Sequence, residues 1–291
     1  TYADPRIVNN TEKMLAGFVG STSARLIISA ISKEESIGVS EVVDLLQKSR
    51  DLQESNLNLR KLDAQKNEFL TTVTHEIRSP ITSIRSLSEI MVDHEDIDPE
   101  DRKKFLETII QESDRLSRLV NQVLDLEKLD AGKQKFKLEA ILLEEVIEKA
   151  AQNFIAIAKQ NHVSLLIDLS QKRTQRKVIG DFEKLVQVVI NLISNAIKNV
   201  EPGIGRITVR LKESATHICV EIEDNGIGIE PKFHDQIFEK FKQVDNPNRK
   251  IESSGLGLSI SKKIVEHLQG SIHVQSSLGQ GALFLIKLPI E

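Results

Sequence analysis

The sequence has no tryptophan, one tyrosine, two methionines and a single cysteine, Cys219, in 291 residues. One thiol excludes an internal disulfide framework and fits a reducing compartment. With aromatics at 4% and charged residues at 28%, the composition is that of a charged, helix-rich domain rather than a secreted one. Excess basic charge is also missing: the formal charge is -4 and the pI about 6.0, so no nucleic-acid partner is expected. The longest apolar stretch, MLAGFVGSTSARLIISAIS from Met14, is broken by Arg25 and several polar residues. It falls short of the roughly 20 apolar residues that a membrane span needs, and no signal-peptide pattern is present. The fragment therefore reads as soluble and cytoplasmic, and it is long enough for two or three compact units.

What is present divides into two halves of different period. Up to about residue 131 the apolar residues recur at helical spacing. Beyond it, short β-rich runs (HVSLLIDL, GRITVRL, HICVEIED and GALFLIKLPI) alternate with helical patterns. The stretch DAGKQKFK around Gly132 reads as the linker, with glycine just past a helix end.

The first half carries a heptad. Leu70, Ile77, Ile84 and Met91 are seven apart, as are Val73, Pro80 and Leu87 three positions on, which together make an a/d seam. The d series continues upstream as Leu45, Leu52 and Leu59, with Lys66 as its one break. The a series Val42, Ser49, Asn56 and Asp63 turns polar. This spacing predicts a continuous helix from about 41 to 92, firm around His75 and weak upstream, suited to passing on a conformational signal. His75 falls at position f, facing away from the seam, which argues against a core histidine. Pro80 is expected to loosen the helix just below it. A second helix follows Asp98, a good N-cap, with Pro99 at its first position and Phe105, Ile109, Leu116, Leu119, Val123 and Leu126 as its apolar stripe. Two such hairpins make a four-helix bundle, so a homodimer is expected.

The second half contains two glycine boxes, DNGIGI at 224 to 229 and SSGLGLSI at 253 to 260. Each could be only a tight turn. Equally, each stands at the border of an element, and glycine-lined N–H groups opening a helix can cradle phosphate. Asp224 closes a strand, where it can accept from an exocyclic amine such as that of adenine. In NLISNAIK, Asn191, Asn195 and Lys198 share one helical face, and asparagine oxygen is a hard, neutral donor suited to Mg²⁺.

The order HEIRSP, NLISNAIK, DNGIGI, IFEKFKQVD, SSGLGLSI resembles the sensor histidine kinases of bacterial two-component systems, from about residue 62 to the C-terminus. The resemblance implies an α plus α/β architecture: a helical hairpin forming a dimeric four-helix bundle, then an α/β sandwich that binds ATP and Mg²⁺, of the kind shared with gyrase, Hsp90 chaperones and MutL. The implied division is a helical connector over 1–60, a dimerisation and phosphotransfer hairpin over 61–132, and the ATP-binding domain over 133–291. It implies autophosphorylation and transfer to the receiver domain of a response regulator. By the same resemblance His75 is the phosphoacceptor and Glu76 its base. Asn195 is the Mg²⁺ ligand, and Asn191 and Lys198 support the phosphates. Asp224 takes adenine within a turn made with Gly226 and Gly228. Gly255, Leu256 and Gly257 lie under the phosphates, and residues 230 to 254 form the lid.

Three positions depart from the family pattern. Lys240 stands where many relatives carry arginine, and so loses the bidentate fork. Ala282 replaces a frequent threonine. Ser79 occupies the position four after the histidine, where threonine or asparagine is usual, and it bears on phosphatase activity toward the regulator. Residues 1 to 60 weakly resemble the connector between solute-symporter-like membrane domains and some sensor kinases. A membrane sensor attached upstream, placing the whole protein in the bacterial inner membrane, is the corresponding expectation.

Overall fold

The computed structural model describes residues 5–32, 39–94, 96–169, 176–242 and 254–291. They fall into two compact units, 1–71 and 72–291.

In the first unit, α1 (Pro5–Val19) and α2 (Ser21–Ser32) pack on each other across a turn at Gly20, with Ala24 buried between them. Helix α3 (Val39–Asp93) begins here and runs on into the second unit. Its upstream seam residues Leu52 and Leu59 are 67% and 59% exposed, because a single chain offers them no second strand of a coiled coil. The side chains of Val42 and Leu45 lie outside the described residues. No helix among the described residues is long and apolar enough to cross a membrane.

In the second unit α3 continues unbroken through Pro80, which is buried. The expected loosening is thus absorbed inside the helix, although the proline ring removes the N–H that would bond the Glu76 carbonyl. Helix α4 (Pro99–Asp130) starts as its sequence requires: the Asp98 carboxylate accepts from the Glu100 N–H at 2.8 Å. Leu119 and Leu126 are buried along its stripe. It ends at Ala131, and Gly132 follows at φ +61. The linker is then pinned at two points. Phe136 stacks on His267 at 3.9 Å between ring centroids, and the Lys137 N–H donates to Asp181 Oδ2 at 2.8 Å.

The α/β part is one mixed sheet covered by helices. Strands β2 (Ser164–Asp168), β4 (Arg206–Glu213), β5 (His217–Asp224), β6 (Ser271–Ser276) and β7 (Ala282–Pro289) lie in the order β2-β4-β5-β7-β6, with only β2 and β4 parallel. A small second sheet pairs β1 (Glu139–Ile141) with β3 (Val178–Gly180). Ile218, Val220, Ile222 and Asp224 alternate onto the buried face of central strand β5, as period 2 demands. Helices α5 (Leu143–Gln152), α7 (Phe182–Asn199) and α8 (Gly257–His267) sit over that face; the short α6 (Ile155–Gln160) lies beside β2. The sheet core is mainly apolar, with Ile193, Ile207, Ile218, Ile222, Ile260 and Ile286 fully enclosed. Each such side chain contributes about 2 kcal/mol of burial.

The β6–β7 turn must pass close under the end of β5. Gly281 has φ +76, and a Cβ there would fall 1.9 Å from the Asp224 carbonyl oxygen, whereas Gly279 at φ +78 has open space around it. Gly279→Ala should therefore cost about 1 kcal/mol, the left-handed penalty alone. Gly281→Ala should cost about 3 kcal/mol or more, because it also pushes two strands apart. Urea midpoints followed by circular dichroism should separate the two variants; equal midpoints would contradict the close approach.

Candidate functional site

Two groups of candidate residues are positioned separately. On α3, His75 and Ser79 are exposed and one helical turn apart, while Glu76 is half-buried. The Glu76 carboxylate pairs with Arg115 of α4, Oε2 lying 3.6 Å from Nη2. The exposure of His75 follows from its place in the heptad, since Ile77, Ile84 and Met91 turn the opposite face inward.

The second group lies in the α/β part and is organised by α7. Asp181 caps this helix, its Oδ1 accepting from the Lys184 N–H at 3.1 Å. Leu185, Val188, Val189, Leu192, Ile193 and Ala196 are buried on one side. That stripe leaves Asn191, Asn195 and Lys198 on the other. Asn191 is tied to the start of α8: its Nδ2 donates to the Gly257 carbonyl and to Ser261 Oγ, both at 3.3 Å. Its carbonyl oxygen is thereby turned away from those contacts. The Asn195 side chain is half-buried and makes no hydrogen bond among the described residues; its backbone carbonyl accepts from Asn199 at 2.8 Å.

Asp224 ends β5 and is 6% exposed. Its Oδ1 accepts from the Gly226 N–H at 2.8 Å. Burial pushes its carboxyl above the ordinary range, and the N–H groups of Gly226 and Ala282 draw it only part of the way back. Gly228, at φ +69, turns the chain out of the box. A cavity of about 540 Å³ reaches Asp224 from one side, lined also by Glu223, His234, Gln275 and Leu283. Glu223 and Leu283 are cross-strand partners on the sheet face turned away from α7, so this cavity lies on the opposite side of the sheet from the asparagines.

Gly255 and Leu256 precede α8, whose first residue is Gly257. The Gly255 carbonyl accepts from the Phe241 N–H at 3.0 Å, and Phe241 itself sits at φ +59. A Cβ on Gly255 would fall 2.7 Å from the Phe241 Cα, so the box clasps the base of the lid. Residues 243–253 of that lid lie outside the described residues.

The contacts that sequence reasoning missed join α4 to the α/β part. Asp125 accepts from Lys184 Nζ at 3.1 Å and from Gln187 Nε2 at 3.2 Å. Ser254 Oγ donates to Gln122 Oε1 at 2.7 Å. Asp130 receives both Lys263, at 2.6 Å, and Lys240. Lys240, which the resemblance implies is an ATP-binding residue, is therefore engaged here by the end of the hairpin. These partners are 59 to 133 residues apart in sequence, and no local pattern announces them. Partial burial pushes the Asp130 carboxyl up, but Lys240 and Lys263 more than offset it and hold it below the usual carboxylate range.

Comparison with known proteins decides the family. Residues 65–132 match the His Kinase A (phospho-acceptor) domain, and residues 180–291 match the histidine kinase-, DNA gyrase B- and HSP90-like ATPase domain. This chain belongs to the two-component sensor histidine kinases. Drug sensory protein A of Synechocystis sp. is 37% identical over 240 residues, 79% of this chain and 36% of that protein. Sensor protein SrrB of Staphylococcus aureus is 34% identical over 233 residues, 80% of this chain and 39% of that protein. The chain thus spans little more than a third of these relatives. Among solved structures, histidine kinase ThkA in complex with response regulator protein TrrA is 25% identical with a TM-score of 0.63, over 82% of this chain and 66% of that one. Acinetobacter baumannii histidine kinase AdeS, 24% identical with a TM-score of 0.61, covers 75% of this chain and 98% of its own and shares the fold.

The docking contact of α4 generates a prediction. The depressed pKa of Asp130 means that its contribution is present above its unfolded value and is lost only as pH falls through the lower folded value. At neutral pH the pairing is intact, and Asp130→Asn should loosen the last turn of α4 and the start of α8, raising their amide exchange. High salt should do the same to the wild type. Exchange unchanged in the variant would mean that the pairing holds nothing.

Proposed function

We propose that this chain is the kinase core of a two-component sensor, which transfers the γ-phosphoryl group of ATP to His75 and passes it to an aspartate of a response-regulator receiver domain. One observation carries the reading: a phosphoacceptor match containing His75 precedes, in one chain, an ATPase match containing Asn191 through Gly257. The solved complex of a similar kinase with its regulator supports the receiver-domain partner.

Neutral imidazole carries one lone-pair nitrogen. That nitrogen attacks phosphorus in line; the N–P bond forms as the bond to the bridging oxygen breaks and ADP leaves with the electron pair. Glu76, paired with Arg115 here, accepts the proton of the other ring nitrogen once its carboxylate turns to the ring. Asp224 accepts from the adenine amine, and the Gly255–Gly257 segment offers backbone N–H groups at the start of α8 to the phosphates, with Asn191 and Lys198 alongside. The residues present fit Mg²⁺. Asn195 has an amide without a hydrogen bond among the described residues, and no trio of His, Cys, Asp or Glu among them forms an all-protein cage. A single neutral oxygen suits an ion that keeps its waters and binds substrate phosphates. When bound, the ion neutralises phosphate charge.

The homodimer is supported by apolar residues that one hairpin leaves uncovered: Leu70, Leu106, Ile110 and Leu124 are 44% to 60% exposed. Ser79 offers a hydroxyl donor and acceptor one turn from His75, suited to placing water on the regulator's aspartyl phosphate. The input reaches the hairpin through α3 from a membrane sensor joined upstream.

With γ-labelled ATP, His75→Gln should give no acid-labile, base-stable label while nucleotide still binds; label persisting in the variant would overturn the assignment. Nucleotide affinity should also depend on Asp224 ionisation. Because burial raises its pKa, affinity should be full above the raised value and fall as pH drops through it, sooner than for an exposed aspartate. Asp224→Asn should weaken binding about tenfold to a hundredfold and flatten the profile, as read by calorimetric titration between about pH 5 and pH 8.

A further inference from the structure

Gln122, Leu126 and Asp130 of α4 lie four apart and so share one face of the helix. Leu126, between the other two, is fully buried. The polar pair reaches the segments assigned above to the nucleotide. Asp130 pairs with Lys263 of α8 at 2.6 Å, and Gln122 takes Ser254, just ahead of the second glycine box. Asp125, on the neighbouring row of α4, receives Lys184 and Gln187 of α7. The Ser254 contact fixes where two protons point. A hydroxyl has one proton to give, and here it goes to Gln122 Oε1 at 2.7 Å. The Ser254 oxygen then serves as an acceptor and takes the Leu256 N–H at 3.3 Å. Two donors of the segment that opens α8 are thus committed inside the protein.

We propose that Gln122 is a positioning residue that gates the nucleotide: while α4 rests on α7 and α8 it withholds the Ser254 hydroxyl and the Leu256 N–H, and both turn to phosphate when α4 lets go. The inference rests on the reading that Gly255–Gly257 takes the phosphates. The two hydrogen bonds run in one direction, from Leu256 to Ser254 to Gln122, so removing the last acceptor frees both donors together. That acceptor is a neutral amide oxygen. A phosphate oxygen competes well against it, because hydrogen bonds to an ionised acceptor are about twice as strong. The contact therefore lowers nucleotide affinity without abolishing it. Asp125 and Asp130 keep α4 where Gln122 can act. Such coupling is reciprocal: the factor by which the α4 contact weakens nucleotide binding is the factor by which nucleotide weakens the contact. Nucleotide entry thus acts directly on the hairpin that carries His75.

The test is calorimetric titration of the 291-residue chain with ADP and Mg²⁺, which avoids turnover. Gln122→Met keeps the length of the side chain and loses the strong acceptor. It should tighten ADP about fivefold, the effect of one neutral hydrogen bond. Gln122→Glu keeps an acceptor and should not tighten it. In a Ser254→Ala background Gln122→Met should change nothing, because no hydroxyl is left to withhold. Asp125→Ala loosens α4 without touching the glycine box; it should tighten ADP in the same direction, and it serves as the readout if Gln122→Met does not fold. Reciprocally, ADP should raise amide exchange over residues 119–130 of the wild type. Affinity unmoved by Gln122→Met and by Asp125→Ala would overturn the proposal. So would equal tightening with and without Ser254, tightening by Gln122→Glu, or exchange in α4 that ignores ADP. A wild-type chain that takes no ADP sinks the nucleotide reading itself, a result visible before any variant is made, and the gate fails with it.

Discussion

Helix α7 can bury one stripe and no more, and the nucleotide-side residues depend on that constraint. Its 18 residues place Leu185, Val188, Val189, Leu192, Ile193 and Ala196 against the sheet and its neighbouring helices. Asn191, Asn195 and Lys198 must then lie on the remaining face. The Asn191 amide fastens the start of α8 to this face, bringing the second glycine box within reach of the asparagines. Asp224 joins from β5, the central strand of the five, so its carboxylate stands on a constrained part of the sheet. A polar site thus grows from the leftover surface of an apolar packing problem.

The hairpin solves a different problem. Its helices are long and leave apolar side chains uncovered, so packing within one chain does not fix them alone. Charge adds what packing leaves open. Asp125 and Asp130 hold the end of α4 to α7, to α8 and to Lys240 at the base of the lid, while Arg115 spans the middle of the hairpin to Glu76. Ion pairs of this exposure are individually weak. In the proposed reaction that weakness suits contacts that exchange when the ATP-binding part reaches His75, since a strong apolar interface would hold one arrangement.

Much of this was legible in residue order. The Asp98 cap, the glycine beyond α4, the strands at β2, β4, β5 and β7, and the single helix through His75 follow from propensity and period. Strands β1 and β3 were not legible: three residues each carry too little alternation to register. β6 was hidden because SIHVQS carries only two apolar residues, Ile272 and Val274, for its alternation. At Pro80 the helix carries one proline without ending.

By itself the sequence determined which residues could do chemistry and on which helical or strand face each would lie, because the 3.6 and 2.0 periods act locally. It determined the family for the same reason, through short motifs whose internal spacing is fixed by one turn or one helix. Only the tertiary structure decided that Lys240 rests on Asp130, that Glu76 faces Arg115 rather than His75, and that a cavity beside Asp224 opens on the far face of the sheet. Those outcomes depend on which elements meet. The partners are distant in the chain, and a charged side chain carries no sequence signal of the partner that will neutralise it.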